Sequence, residues 1–177
     1  GPSRAGKSTL AAALAKRGYQ VIADDACFTR ADADGAIMVW PGIRRIRLWQ
    51  EAVEALGFEG AGIEREIRGY NKYLIPVAPP ADPYGPRPLR RFYCLAKSQG
   101  DEAPEIERLH SADAIGLLLS NVYRIKLAER LGLMPAKFAA CAAVARRVPV
   151  FRFRRPKRYE LMNAGLDLLE AHFGARL

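Results

Sequence analysis

Only two histidines, His110 and His172, and three cysteines, Cys27, Cys94 and Cys141, occur in 177 residues. The cysteines are far apart, odd in number and free of any C-x-x-C spacing, which argues against a zinc knuckle or a disulfide framework. They read as reduced packing residues of a cytosolic protein. Neither histidine stands near a nucleophile or at a metal-ligand spacing, so surface or capping roles are expected of both. No run reaches the roughly 18 apolar residues of a membrane span, and the apolar stretch at 9–14 is followed by Lys16 and Arg17. A soluble, unexported, cytoplasmic protein without membrane contact is expected. There is no internal repeat, and compositional bias is confined to one proline-rich tract.

What the chain has in excess is positive charge: 28 Lys and Arg against 19 Asp and Glu, a formal net charge of +9. A negatively charged partner follows, and ATP, an acidic peptide, nucleic acid or a membrane surface would each qualify. Half of the residues are hydrophobic, enough for one core, and a single domain over 1–177 is expected.

Helix formers run from 8 to 17, with Leu10 and Leu14 on one face and Gly18 where a left-handed cap belongs. Tyr19-Gln20-Val21-Ile22-Ala23 reads as a strand that ends on the acidic pair Asp24-Asp25. Asp34-Gly35 marks a turn into a strand at 36–40. Ile46, Trp49, Val53 and Leu56 fit one helical face closed by Gly57. A strand is predicted at 73–77, then an extended loop rich in proline from Pro76 to Pro88, then a strand at 91–96. Ser111 is placed as the cap of a helix running towards Gly132, and Pro135 opens another to about Arg146. A last strand at 148–153 and a last helix at 159–173 complete an α/β pattern, a mixed sheet with flanking helices. Trp40, Trp49, Phe151 and Phe153 are assigned to packing.

The sharpest motif is Gly1-Pro2-Ser3-Arg4-Ala5-Gly6-Lys7-Ser8, which matches G-x-x-x-x-G-K-[ST] in full. Glycines let backbone N–H groups close around a polyphosphate, and the helix that follows aims its positive end at it. Gly1, Ser3, Arg4, Ala5, Gly6, Lys7, Ser8 and Thr9 are therefore candidate ATP-binding residues. Lys7 is expected at the β and γ phosphates and Ser8 on magnesium, a hard cation that prefers oxygen ligands. A P-loop ordinarily follows a strand, so an upstream strand is expected before Gly1. Adjacent carboxylates are common in turns and helix caps. A strand following the P-loop helix, however, can open its C-terminal end onto the phosphate crevice. There one carboxylate can take a proton from an attacking hydroxyl while the other helps to hold the metal.

The P-loop with Thr9-Leu10, then Ala15-Lys16-Arg17-Gly18-Tyr19 and Ile22-Ala23-Asp24-Asp25, resembles the catalytic domain of HPr kinase/phosphorylase and its small HPr-kinase-like relatives. These include relatives found with lasso-peptide biosynthesis genes. The resemblance implies a P-loop kinase fold akin to phosphoenolpyruvate carboxykinase, ATP and magnesium, transfer to a serine of a peptide or protein, and assembly as a homo-oligomer. It makes Asp24 the general base and Asp25 a magnesium-shell residue. Glu66-Ile67-Arg68-Gly69 is similar to the family's E-[IV]-R-G, which adds Glu66 and Arg68 as candidates, although Tyr70-Asn71-Lys72 departs from the family pattern. Val148-Pro149-Val150-Phe151-Arg152-Phe153-Arg154 is similar to a late strand of the small relatives.

Basic clusters at Arg44-Arg45-Arg47, Arg87-Arg90-Arg91 and Arg152 to Arg158 read first as solvated faces. Alternation at Arg152 and Arg154 puts both guanidinium groups on one side of a strand, where they would suit transferring phosphate. Two rival readings stand beside the serine kinase. A small-molecule P-loop kinase of the adenylylsulfate or gluconate type shares the P-loop, but an adenylylsulfate kinase would carry Asp-Gly-Asp after its second strand. A nucleic-acid-associated ATPase would carry four apolar residues ending in Asp-Glu, and no such run is present.

Overall fold

A computed structural model of the chain describes residues 1, 4–58, 64–65, 71–78, 82, 84–98, 100 and 102–174. Along the described chain the order is α1 (Lys7–Lys16), β1 (Phe28–Ala31), β2 (Ile37–Trp40), β3 (Ile46–Trp49), α2 (Gln50–Ala55), β4 (Glu64–Arg65), β5 (Lys72–Ile75), β6 (Arg87–Pro88), β7 (Phe92–Lys97), β8 (Glu105–Leu109), α3 (Ser111–Ser120), α4 (Ile125–Arg130), α5 (Met134–Arg147), β9 (Val150–Arg155) and α6 (Met162–Gly174). Among the described residues the architecture is mixed α/β, with helices and three small sheets. No helix among the described residues is long and apolar enough to cross a membrane. The chain forms two compact units, each gathered from three separate segments.

The first unit holds Gly1–Ala5, Thr29–Val39 and Arg87–Lys157. Its main sheet runs β7-β9-β8, with β7 parallel to β9 and β8 antiparallel to it. Phe151 and Phe153 are buried, as the alternation of apolar and arginine residues on β9 requires. α3 packs on α5, and Leu109, Ala114, Leu118, Cys141 and Val150 close a core between these helices and the sheet. A smaller sheet, β1-β2-β6, is built on the hairpin at Asp32 to Ala36. There the Asp32 carboxylate accepts from the Asp34 and Ala36 N–H groups, and Gly35 turns at a φ of 81°.

The second unit holds Gly6–Phe28, Trp40–Pro86 and Arg158–Leu177. Its antiparallel sheet β3-β5-β4 carries Ile46 and Leu48 inward and Arg47 and Trp49 outward. Ala12 of α1, Val21, Val53 of α2 and Ile75 of β5 join the two inward residues in the core. On the outer face Lys72 sits directly opposite Trp49, its ammonium 4.8 Å from the indole ring. α6 is tied to the end of α1 through Arg17, which donates to Asp167 and Glu170, each at 2.6 Å, and to Asn163.

Several sequence expectations change. Residues 46–49 are strand and not helix: Ile46 and Leu48 are 0% and 1% exposed while their neighbours face out, so the period there is two and becomes helical only at Gln50. Trp49 accordingly lies outside the core. Residues 19–23 form no ladder strand, although Val21 is buried; two isolated backbone bonds, Gly42 to Ile22 and Asp24 to Ile43, hold the segment. β1 and β8 were not read from sequence, and Pro88, placed in an irregular loop, pairs with Met38 across β2 and β6. The long helix expected from Ser111 is broken. Asn121 folds its side-chain amide back to the Leu117 carbonyl at the end of α3, and Arg124 turns left-handed at a φ of 51° before α4. His110, and not Ser111, occupies the N-cap, its carbonyl accepting from Asp113 and Ala114.

Candidate functional site

Helix α1 begins at Lys7 because Gly6 adopts the left-handed conformation, φ 84° and ψ 24°, which costs glycine little. The Gly6 carbonyl then accepts from Leu10 at 2.9 Å, the first helical bond. Leu10, Ala12 and Ala13 bury one face of α1, and the helix packs on β3. With the helix so held, its first turn directs Lys7 to solvent and leaves Ser8 half-buried. The first turn contains no acidic residue that would oppose an anion.

Ser8 Oγ donates to Asp24 Oδ1 at 3.1 Å. Asp24 is placed by its own N–H, which donates to Ile43 O at 3.1 Å. One residue earlier along that partner segment, the backbone comes so close that a Cβ on Gly42 would stand 2.7 Å from the Ala26 carbonyl oxygen. Only glycine fits there without a shift of the chain. Asp25 is exposed, and its Oδ2 accepts from Arg47 Nη2 at 2.6 Å. Arg47 reaches it because β3 alternates and turns that side chain outward.

The two carboxylates differ electrostatically. Partial burial pushes the Asp24 carboxyl above the ordinary range, the Ser8 hydrogen bond opposes that, and the negative charge of Asp25 adds to it. The Arg47 N–H and guanidinium pull the other way more weakly. Asp24 is thus a stronger proton acceptor than a solvated aspartate. Ser8 Oγ and the Asp24 carboxylate together offer the hard oxygen donors that magnesium prefers. Among the described residues no group of three or more His, Cys, Asp and Glu could hold a metal. One hydroxyl and two neighbouring carboxylates are few donors, so an ion held there would need water or ligand oxygens to complete its shell.

The remaining candidates divide as follows. Gly1, Arg4 and Ala5 belong to the first unit, while Gly6, Lys7, Ser8 and Thr9 belong to the second, so the chain passes from one unit to the other inside the motif. Gly1 lies against β7, where a Cβ would meet the Leu95 carbonyl oxygen at 2.6 Å. Arg4 is exposed with a φ of 61°, a conformation that costs a non-glycine residue on the order of 1 kcal/mol or more. Pro2, Ser3, Glu66 and Arg68 lie outside the described residues. Arg152 and Arg154 are in the first unit, engaged by carboxylates of β8: Arg152 with Glu107 at 2.9 Å, Arg154 with Glu105 at 3.0 Å and with Glu107 at 2.8 Å. Arg47 was seen in sequence only as part of a basic cluster. Reading 46–49 with a period of two would have set it on the open face of a strand, available to the acidic pair. Compared with known proteins, the chain matches no family model, no curated protein and no solved structure.

Proposed function

We propose that the chain is an ATP- and magnesium-dependent kinase, of the P-loop type resembling HPr kinase/phosphorylase, that phosphorylates a serine hydroxyl of a peptide or protein. The observation that carries this reading is the hydrogen bond from Ser8, the last residue of the complete P-loop motif, to Asp24, the first of the acidic pair. Two sequence-distant residues that phosphoryl transfer requires together meet in one place.

In this reading the first turn of α1 and the Lys7 ammonium neutralise the terminal phosphates. Magnesium, when bound, would supply further neutralisation and alignment, with Ser8 and Asp25 as its protein oxygens. Asp24 accepts the proton of the attacking serine hydroxyl as that oxygen bonds to the γ-phosphorus and ADP departs. Its raised proton affinity suits a base, and Arg47 pairs with Asp25 beside it. The basic residues Arg87, Arg90 and Arg91 beside the proline-rich tract suit an extended peptide acceptor.

The test is phosphate transfer, read by mass or radiolabel, against serine peptides, carrier proteins, sugars, nucleosides and adenylylsulfate. Transfer to a serine peptide that is lost in Lys7→Ala supports the proposal. Phosphate appearing only on a small molecule or on water would replace the acceptor, and unchanged ATP turnover in Lys7→Ala would remove the ATP site itself. Replacing Arg90 and Arg91 together should raise the apparent KM for the peptide and leave that for ATP nearly unchanged.

A further inference from the structure

In the first unit, the C-terminal half of α5 is buried through Cys141 and Ala142, but its N-terminal half and the turn before it are not. From 131 to 140 the chain reads Leu-Gly-Leu-Met-Pro-Ala-Lys-Phe-Ala-Ala, with Lys137 its only charge, in a protein of which 27% is charged. Leu131 is 62% exposed and Phe138 53%, and Leu127 and Leu133 are exposed beside them. Single exposed apolar residues are ordinary; four large ones within twelve positions, on two consecutive helices, are not.

This surface is built and not frayed. Leu131 and Gly132 donate to Leu127 and Glu129, Leu133 donates back to Ala128 at 2.9 Å, and Gly132 turns at a φ of 67°, a Schellman closure of α4. The Leu133 carbonyl at once accepts from Lys137 at 3.0 Å, which starts α5. Two helices joined by such a turn hold Leu127, Leu131, Leu133 and Phe138 in place without a partner, so little ordering remains to be done on binding. The same segment, from 124 to 138, carries Arg124, Lys126, Arg130 and Lys137 against the single carboxylate of Glu129. Arg124 is further fixed over the Tyr123 ring, 5.4 Å from its centre.

We propose that α4, the Gly132 turn and the first half of α5 form a docking surface for an acidic amphipathic segment of a partner protein. Its apolar side chains would seat on the leucines and Phe138, and its carboxylates would face Arg124, Arg130 and Lys137. The sign of the rim selects this occupant. A second copy of this chain would bring four cations against four, and the whole chain carries +9. A lipid surface suits a long amphipathic helix lying flat, whereas here a six-residue helix turns sharply into the next. The proposal stands apart from the kinase reading and does not need it.

The test sorts a phage-displayed library of random peptides of about 16 residues on the wild-type chain, with Phe138→Asp and Leu131→Asp as separate counter-selections. Both replaced residues are exposed, and thermal melts check that each variant folds. Enriched peptides should carry apolar residues at helical spacing among several Asp or Glu. Their synthetic forms should bind either variant, and the Arg124→Glu/Arg130→Glu double variant, at least about tenfold more weakly, with affinity falling as salt rises. Binders that lack acidic residues, or that ignore all three variants, would overturn the proposal. So would an empty selection, a dimer in sedimentation velocity that Phe138→Asp dissociates, or sedimentation with phosphatidylglycerol/phosphatidylcholine vesicles that Phe138→Asp abolishes.

Discussion

In the first unit Arg152 and Arg154 meet Glu107 and Glu105 across β9 and β8, two cations for two carboxylates. In the second unit Asp24 and Asp25 stand side by side on one segment, and one guanidinium, that of Arg47, reaches Asp25 while Asp24 has a hydroxyl. The first cluster neutralises itself. Pairs of this kind, directly opposite on an antiparallel ladder and partly exposed, add little to stability because solvent screens them. The second cluster is left with an excess of negative charge in a half-buried place, and the cost appears as a raised proton affinity at Asp24. Balanced charge reads as scaffold and unbalanced charge as a site prepared for a cation or a proton.

The strongest way to break this contrast is Asp24→Asn. Transfer should fall by roughly 10²- to 10⁴-fold while nucleotide binding, followed by titration calorimetry, is retained; near wild-type transfer would make the second cluster scaffold as well. Asp25→Asn should cost less in rate and displace the acid limb of the pH–rate profile to lower pH. It removes a charge that raises the Asp24 carboxyl and frees Arg47, and both changes favour the carboxylate. A limb that moves to higher pH would contradict the assigned coupling.

Stability gives a third, smaller effect. A carboxyl whose proton affinity is higher folded than unfolded contributes stability that is present below its unfolded pKa and lost as pH rises through its folded one. For Asp24 that window opens just above the ordinary carboxylate range. Asp24→Asn should flatten the decline there and melt higher at neutral pH; a lower melting temperature would refute it. The smallest effect belongs to Glu107→Ala, which removes the carboxylate shared by Arg152 and Arg154. Denaturant unfolding should show only a slight loss of stability, with the KM for ATP unchanged. A changed KM would mean that these arginines serve the nucleotide after all.

The P-loop helix, its glycine cap, the turn at Asp34-Gly35 into β2, α5 behind Pro135 and the last strand and helix were legible because local signals and packing agree there. Residues 46–49 were not, because Ile46, Trp49, Val53 and Leu56 satisfy a helical face while Ile46 and Leu48 satisfy a strand, and only the partner β5 decides. β8 was missed although Glu105-Ile106-Glu107-Arg108-Leu109 alternates; charge in a short run hid a strand whose outward face is an ion-pair ladder. Within the candidate site, Lys7, Ser8 and the acidic pair could be named from spacing. That Arg47 sits on Asp25, and that Ser8 meets Asp24, depends on where β3 and the 42–43 backbone lie, which local sequence does not encode.

Arg17, at the end of the first helix, is bonded to Asp167, 150 positions later in the chain. Contacts of such separation carry a large loop-closure cost and slow the folding of the element that depends on them. A ribosome that has released everything through Lys157 has delivered every segment of the first unit, yet Arg17 still waits for α6. During synthesis the P-loop helix can therefore pack its apolar face on β3 soon after it is made, while Arg17 at its end stays unfastened until α6 has been delivered.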